Sequence, residues 1–181
     1  MLIGEQVTIR PLQKDDLELL YQWRSDQESM GGFMDTILVN EEKFLEGMEA
    51  VLGDKGRLDA LIEDLEGNPI GILSYHEVAG SNVALEIGIL IAEPSARGKG
   101  IGRECLELFV DHLFGTKPLM RVQFLTRVDN HGMRRSGEKA GFSLEGVLRK
   151  FALVQGEYRD FCMMAITRDD WKAMRSPEKS R

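Results

Sequence analysis

Residues 83–115 read VALEIGILIAEPSARGKGIGRECLELFVDHLFG, and the three parts of that stretch decide the fold. Val83–Ile91 is an apolar, β-branched run interrupted once, by Glu86, which is the pattern of a buried strand. Gly98, Gly100 and Gly102 then alternate with Arg97, Lys99 and Ile101, and Arg103 follows. From there Ile101, Cys105, Leu108, Phe109 and Leu113 fall on one helical stripe. The order is strand, glycine turn, helix. Unpaired backbone N–H groups and the positive end of a helix converge at such a turn, which suits a phosphate. The bland alternative is a plain strand-to-helix connection carrying solvated basic residues.

Two phosphate-binding templates fail on spacing. A Walker loop needs GxxxxGK[ST], and no Ser or Thr follows Lys99. A dinucleotide fingerprint needs GxGxxG near the start of a βαβ unit, whereas the glycines here give GxGxG and three strand-like segments precede them.

Upstream, VTIRPL alternates as a strand and leads into KDDLELLYQWR, where Asp15 and Glu18 have capping-box spacing. A second helix begins at Asn40, and RLDALIE and PIGILSYHEV read as strands joined by a turn. Downstream come the strand RVQFLTRV, a short helix capped by Asn130 and stopped by Gly141, and a hairpin across QGE. The pattern predicts one mixed α/β domain over residues 1–174, with 175–181 as a disordered tail.

The chain has 181 residues and a formal net charge of −7, which argues against general nucleic-acid binding. The charge is uneven: residues 97–150 hold 11 Lys+Arg and 6 Asp+Glu, leaving a strongly acidic remainder. That contrast suits a polyanionic ligand in the second half and a cationic partner elsewhere. No apolar run approaches a membrane span, and MLIGEQVTIR lacks the basic start and apolar core of a signal peptide. Cys105 and Cys162 fit no metal spacing and read as buried small hydrophobes, so a reducing cytoplasm and no metal are expected.

RGKGIG (97–102) resembles the Q/R-x-x-G-x-G/A loop of the GNAT superfamily of acetyl-CoA-dependent N-acetyltransferases. The resemblance extends through TIRPLQKDDLELLYQWRSD, LEIGILI, NHGMRRSGEKAGFSLEGVLRK and GEYRDFCMMAITRDDW, and looks closest to the ribosomal-protein alanine N-acetyltransferase type. It implies a mixed, mostly antiparallel sheet of six to seven strands flanked by about four helices. It also implies a splayed central strand, with acetyl-CoA as cosubstrate lying in the gap. Backbone groups of Ile89, Leu90 and Ile91 would pair with the pantetheine arm, and one of their N–H groups would polarise the thioester carbonyl. The pyrophosphate would rest on Arg97, Gly98, Lys99, Gly100, Ile101 and Gly102. Asn130 would contact the same molecule, with a helix N-cap role equally open, and Arg135 or Lys139 could reach the adenosine phosphates.

Glu86 lies eleven residues before Arg97, matching a position that often carries a glutamate base in this superfamily. Burial in an apolar strand would favour its neutral form and bring its pKa toward neutrality. A structural Glu paired to a basic neighbour is the alternative, and His76 is a weaker rival as base. Two departures stand out. Where many members place a tyrosine to protonate the leaving thiolate, this chain has Gly137. The serine often found in the alanine type is Met133. For the acceptor, Glu28 and Asp35 could pair with a cationic amine and Phe33 could wall the site. The resemblance thus implies acetyl transfer to a primary amine: a peptide N-terminus, polyamine, aminoglycoside or amino sugar. A non-catalytic acyl-CoA-binding or sensing module is the alternative. Neither nucleic acid nor membrane is an expected partner, and a homodimer is left open.

Overall fold

Alternation of apolar residues along the chain builds eight strands and six α-helices among the described residues. The structure is a computed structural model, and it describes residues 1–52, 54 and 56–176. The strands are β1 (Leu2–Ile3), β2 (Val7–Pro11), β3 (Arg57–Asp64), β4 (Pro69–Glu77), β5 (Ala84–Ile91), β6 (Arg121–Arg127), β7 (Ser143–Val154) and β8 (Glu157–Thr167). The helices are α1 (Leu17–Ser25), α2 (Gln27–Met30), α3 (Glu41–Val51), α4 (Ile101–Thr116), α5 (His131–Lys139) and α6 (Arg168–Arg175).

One sheet runs in the order β1-β2-β3-β4-β5-β6-β8-β7. Every neighbouring pair is antiparallel except β5 and β6. That pair is parallel because α4 carries the chain back over the sheet between them. The strand count exceeds the expected six to seven because β1 is a two-residue edge strand, too short for a periodic signal. The helix count exceeds four because α2 is a single turn and because α6 continues directly from β8, capped by Thr167 and Asp170. Arg175, expected in a tail, ends α6 and pairs with Asp111; residues 177–181 lie outside the described part.

Two clusters bury the two faces. On one, Leu85 and Ile87 of β5 pack with Phe109 and Val110 of α4 and with Phe124 of β6. On the other, Leu90 and Leu61 pack with Leu17, Leu20 and Trp23 of α1. Trp23 and Tyr75 are core residues, both buried. The capping box expected at Asp15 and Glu18 instead joins Gln13 and Asp16 around a 3-10 turn, before α1 begins at Leu17. Arg10 fixes that choice by donating two hydrogen bonds to the Asp16 carboxylate and one to Glu63.

Candidate active site

The centre of the sheet forks. β4 and β5 stay paired along the whole of β5, from Glu77↔Leu85 to Gly71↔Ile91. β5 and β6 pair at only three positions, ending at Glu86↔Gln123. Gly71 permits the divergence: a Cβ there would overlap the Leu90 carbonyl oxygen, so the end of β5 leans closely over β4. Ala92 and Glu93 both donate their N–H to the Ile70 carbonyl, fastening that lean.

Backbone parity identifies the groups left in the gap. Val78 donates to Ala84 O, and Ala92 donates to Ile70 O, so even-numbered residues of β5 turn their peptide groups toward β4. Val83 O accepts from Met120 N and Arg121 N, so odd-numbered residues face β6. Beyond the last pairing, Glu86↔Gln123, these are Ile89 and Ile91 and the Ile87 carbonyl. Of the three backbones expected to meet a pantetheine arm, Ile89 and Ile91 face the gap. Leu90 does not, because as an even-numbered residue it turns its peptide groups to β4, opposite Ile72.

Glu86 sits at the apex of the fork. Its side chain is 22% exposed, and its Oε2 accepts a 2.8 Å hydrogen bond from Gln123 Nε2. Among the described residues the basic group nearest its carboxylate is His76, with Nε2 3.8 Å from Oε1 and the imidazole largely solvent-exposed. Gly88, two residues along the same face, is exposed and leaves the floor beside Glu86 without a side chain. Gln123 is only 6% exposed and accepts in turn from Arg121 Nε at 2.7 Å. The other two arginine nitrogens donate bidentately to Glu145 at 2.7 and 2.6 Å. Arg121 therefore holds the Glu145 carboxyl below its usual range, and Glu145 raises Arg121 in return.

The glycine loop ends at α4. Gly98 and Gly100 have positive φ, +74° and +87°, and a Cβ at either would meet nothing, so their backbone lies open. Gly100 is the N-cap of α4, and its side-chain-free N-terminus leaves the first-turn N–H groups without a capping acceptor. Residues 98–102 thus form an open turn at the start of α4, with Lys99 exposed within it. The residues fit a pyrophosphate.

The Arg97 side chain does not join that turn. Its Nε donates to Ile91 O and its terminal nitrogen to the carbonyls of Ala92, Glu28 and Ser29. Four carbonyl acceptors at the end of β5 and along α2 draw the guanidinium away from the turn. Arg103 is also engaged, with Glu107 one helical turn on. Asn130 caps α5 by accepting from Met133 N through Oδ1. Arg135 is exposed on α5. Gly137 cannot be replaced by a tyrosine without movement, because a Cβ there would lie 2.6 Å from Phe124 Cζ.

The acceptor candidates sit on α2 (Glu28) and on the segment after it (Phe33 and Asp35). Phe33 lies 5.2 Å below the Arg127 guanidinium, which also donates to Gly32 O and Asp129. Arg127 is four residues past Gln123, or about 13 Å along the strand from the Glu86 row. Asp35 is not a free carboxylate: its Oδ1 accepts from Gln155 N in the β7–β8 turn. Glu28 is exposed, and its carboxylate makes no hydrogen bond among the described residues. Segment 28–33 therefore bridges the mouth of the gap, held on the β5 side by Arg97 and on the β6 side by Arg127. Sequence reading missed Arg121, Gln123 and Arg127. The signal was partial: in RVQFLTR, Arg121, Gln123 and Arg127 share one strand face, interrupted by Leu125.

No helix is long and apolar enough to cross a membrane, and no cluster of three potential metal ligands occurs among the described residues. A family model described as an acetyltransferase (GNAT) domain matches residues 6–143. A spermidine N(1)-acetyltransferase of Vibrio cholerae is 24% identical over 164 residues, covering 91% of this chain and 94% of that protein. An aminoglycoside N(6')-acetyltransferase type 1 of Klebsiella pneumoniae is 28% identical over 160 residues, covering 80% of this chain and 78% of that one. The fold matches the crystal structure of a spermidine N-acetyltransferase from Vibrio cholerae in complex with CoA and spermine. There the TM-score is 0.84 at 24% identity, over 93% of this chain and 99% of the other.

Proposed function

The chain belongs to the GNAT acetyltransferase family, and from that premise we propose that it transfers the acetyl group of acetyl-CoA to a primary amine of a small polycation, with Glu86 as the base. One observation carries the reading. The one parallel pairing among the described residues stops at Glu86↔Gln123, so a carboxylate stands where two strands part.

In this reading the acyl-thioester arm occupies the fork as a strand would, and the N–H of Ile89 donates to the thioester oxygen as negative charge develops. The open turn at Gly98–Gly102 holds the pyrophosphate. A protonated amine gives its proton to Glu86, directly or through water, and its lone pair attacks the acyl carbon. The new C–N bond forms, the nitrogen of the tetrahedral intermediate gives its second proton to water, the C–S bond breaks, and the thiolate takes a proton from solvent. A thiol with an ordinary pKa of about 8.5 leaves without a dedicated acid, which is consistent with Phe124 filling the space beside Gly137.

Two observations support a polycationic acceptor: the acidic charge outside residues 97–150, and relatives named for spermidine and aminoglycosides. A peptide N-terminus, the acceptor of the alanine type that the motifs resemble, belongs in the same test. Glu28 is the acceptor carboxylate in this reading; Asp35 shapes its loop. We place the whole of this chemistry in one domain over residues 1–174.

The test is thiol release from acetyl-CoA with spermidine, spermine, an aminoglycoside and an alanine-terminated peptide. Turnover is expected with spermidine or spermine, and Glu86→Gln should lower kcat by about 10²-fold or more. Binding of acetyl-CoA with no turnover on any amine would favour a sensing module instead.

A further inference from the structure

The hydrogen bonds around Glu86 have a direction that the side chains themselves impose. An amide can present either its oxygen or its nitrogen to a neighbour, and the choice follows from its partners. At Gln123 the choice is forced from one side, because Arg121 Nε can only donate and therefore claims Oε1 at 2.7 Å. The amide nitrogen is left to face Glu86, where it donates to Oε2 at 2.8 Å. Arg121 cannot turn away without abandoning both oxygens of Glu145. Reversing the amide would set its oxygen against the Glu86 carboxylate and its nitrogen against the Arg121 guanidinium.

We propose that Gln123, oriented by Arg121 and Glu145, is a positioning residue that keeps Glu86 a hydrogen-bond acceptor at the fork and directs its Oε1 toward the incoming amine. The inference rests on Glu86 as base. The geometry supports it in three ways. Gln123 is buried, so water does not compete for its amide. It pairs with Glu86 at the last register position before the strands part. It also occupies only one carboxylate oxygen, leaving the other with His76 at 3.8 Å as its nearest basic neighbour.

Other charged groups surround the site. In register across the sheet lie Arg57 of β3, His76 of β4, Glu86 of β5 and Gln123 of β6. Arg57 is engaged with Asp59, Arg24 of α1 stands near Arg57, and Glu145 of β7 is engaged with Arg121. Of these only Gln123 donates a hydrogen bond to the Glu86 carboxylate, so it is the side chain that sets its orientation.

The experiment is the pH profile of kcat/KM for the wild type, Gln123→Glu, Gln123→Met and Glu86→Gln, with acetyl-CoA affinity measured calorimetrically. Gln123→Glu puts a second carboxylate against Glu86, so the acidic limb should move up by about one pH unit or more. Gln123→Met removes the donor, and kcat should fall about tenfold while the acetyl-CoA Kd stays within about threefold. If the Gln123 variants do not fold, Arg121→Gln is measured in their place, and the limb should again move up. An unmoved limb in Gln123→Glu, alongside an inactive Glu86→Gln, overturns the positioning role and leaves the base intact. A fully active Glu86→Gln overturns the base reading itself.

Discussion

A Cβ at residue 137 would sit 2.6 Å from Phe124 Cζ and 2.9 Å from Cε1, so α5 and β6 touch through a glycine. That contact closes off the side-chain position from which other members of the superfamily are expected to supply an acid. Gly137→Tyr should therefore destabilise the fold by more than about 3 kcal/mol instead of adding a proton donor. Chemical denaturation with a near-UV signal from Trp23 and Trp171 checks it. A stable variant with raised kcat would contradict this packing. Gly71 makes the same kind of statement about the fork, since any side chain there would displace the Leu90 carbonyl. Arg97 shows where residue-level reading ran out. Its position in RGKGIG marks it as a phosphate ligand by pattern, yet its side chain serves four carbonyls, and carbonyls carry no sequence signature.

At the scale of elements, strand, turn and helix from residue 83 to 115 were legible, because alternation, glycine and helical spacing each leave a mark. Glu86 was legible as an interruption. What was not legible is relational. Whether Ile89 or Leu90 faces the gap depends on which strand lies on which side of β5, and α2 is too short for a period. The segment from Glu28 to Phe33 shows the consequence. It is fastened to the lips of both diverging strands, by Arg97, which also bonds the last carbonyl of β5, and by Arg127 at the end of β6. Charge-assisted hydrogen bonds of this kind contribute about 1.5–3 kcal/mol each. Arg97→Met should free the segment, raising the acceptor KM by about fivefold or more. The acetyl-CoA Kd should change less, because the guanidinium makes no contact with the glycine turn. Steady-state kinetics against calorimetry separates the two. An equal rise in both constants would return Arg97 to the phosphate seat.

For the whole molecule, charge and sheet architecture set the response to pH. Asp16 is held low mainly by hydrogen bonds from Arg10, Asp129 by those from Arg127, and Glu145 by those from Arg121. Each carboxyl binds its proton less readily folded than unfolded. Their contribution is therefore complete above the ordinary carboxylate range and is lost as pH falls through the lower folded values. Thermal melts should be flat from pH 7 to about 5 and then decline, with the decline weakened in Arg10→Met. Cys105 behaves oppositely: burial pushes its thiol up to about 12, so it should resist alkylation in the native state.

The fork also means that the sheet is unfinished on one inner edge. Ile89 and Ile91 turn peptide groups toward β6 beyond its last pairing with β5, save the Ile91 carbonyl claimed by Arg97. An occupant lying there would act as a ninth strand, borrowed for the duration of a turnover. Amide hydrogen exchange at Ile89 and Ile91 should then slow on addition of acetyl-CoA, while Leu90, already facing β4, changes little. Alternating protection along a single strand would be the signature of a sheet that completes itself with its substrate.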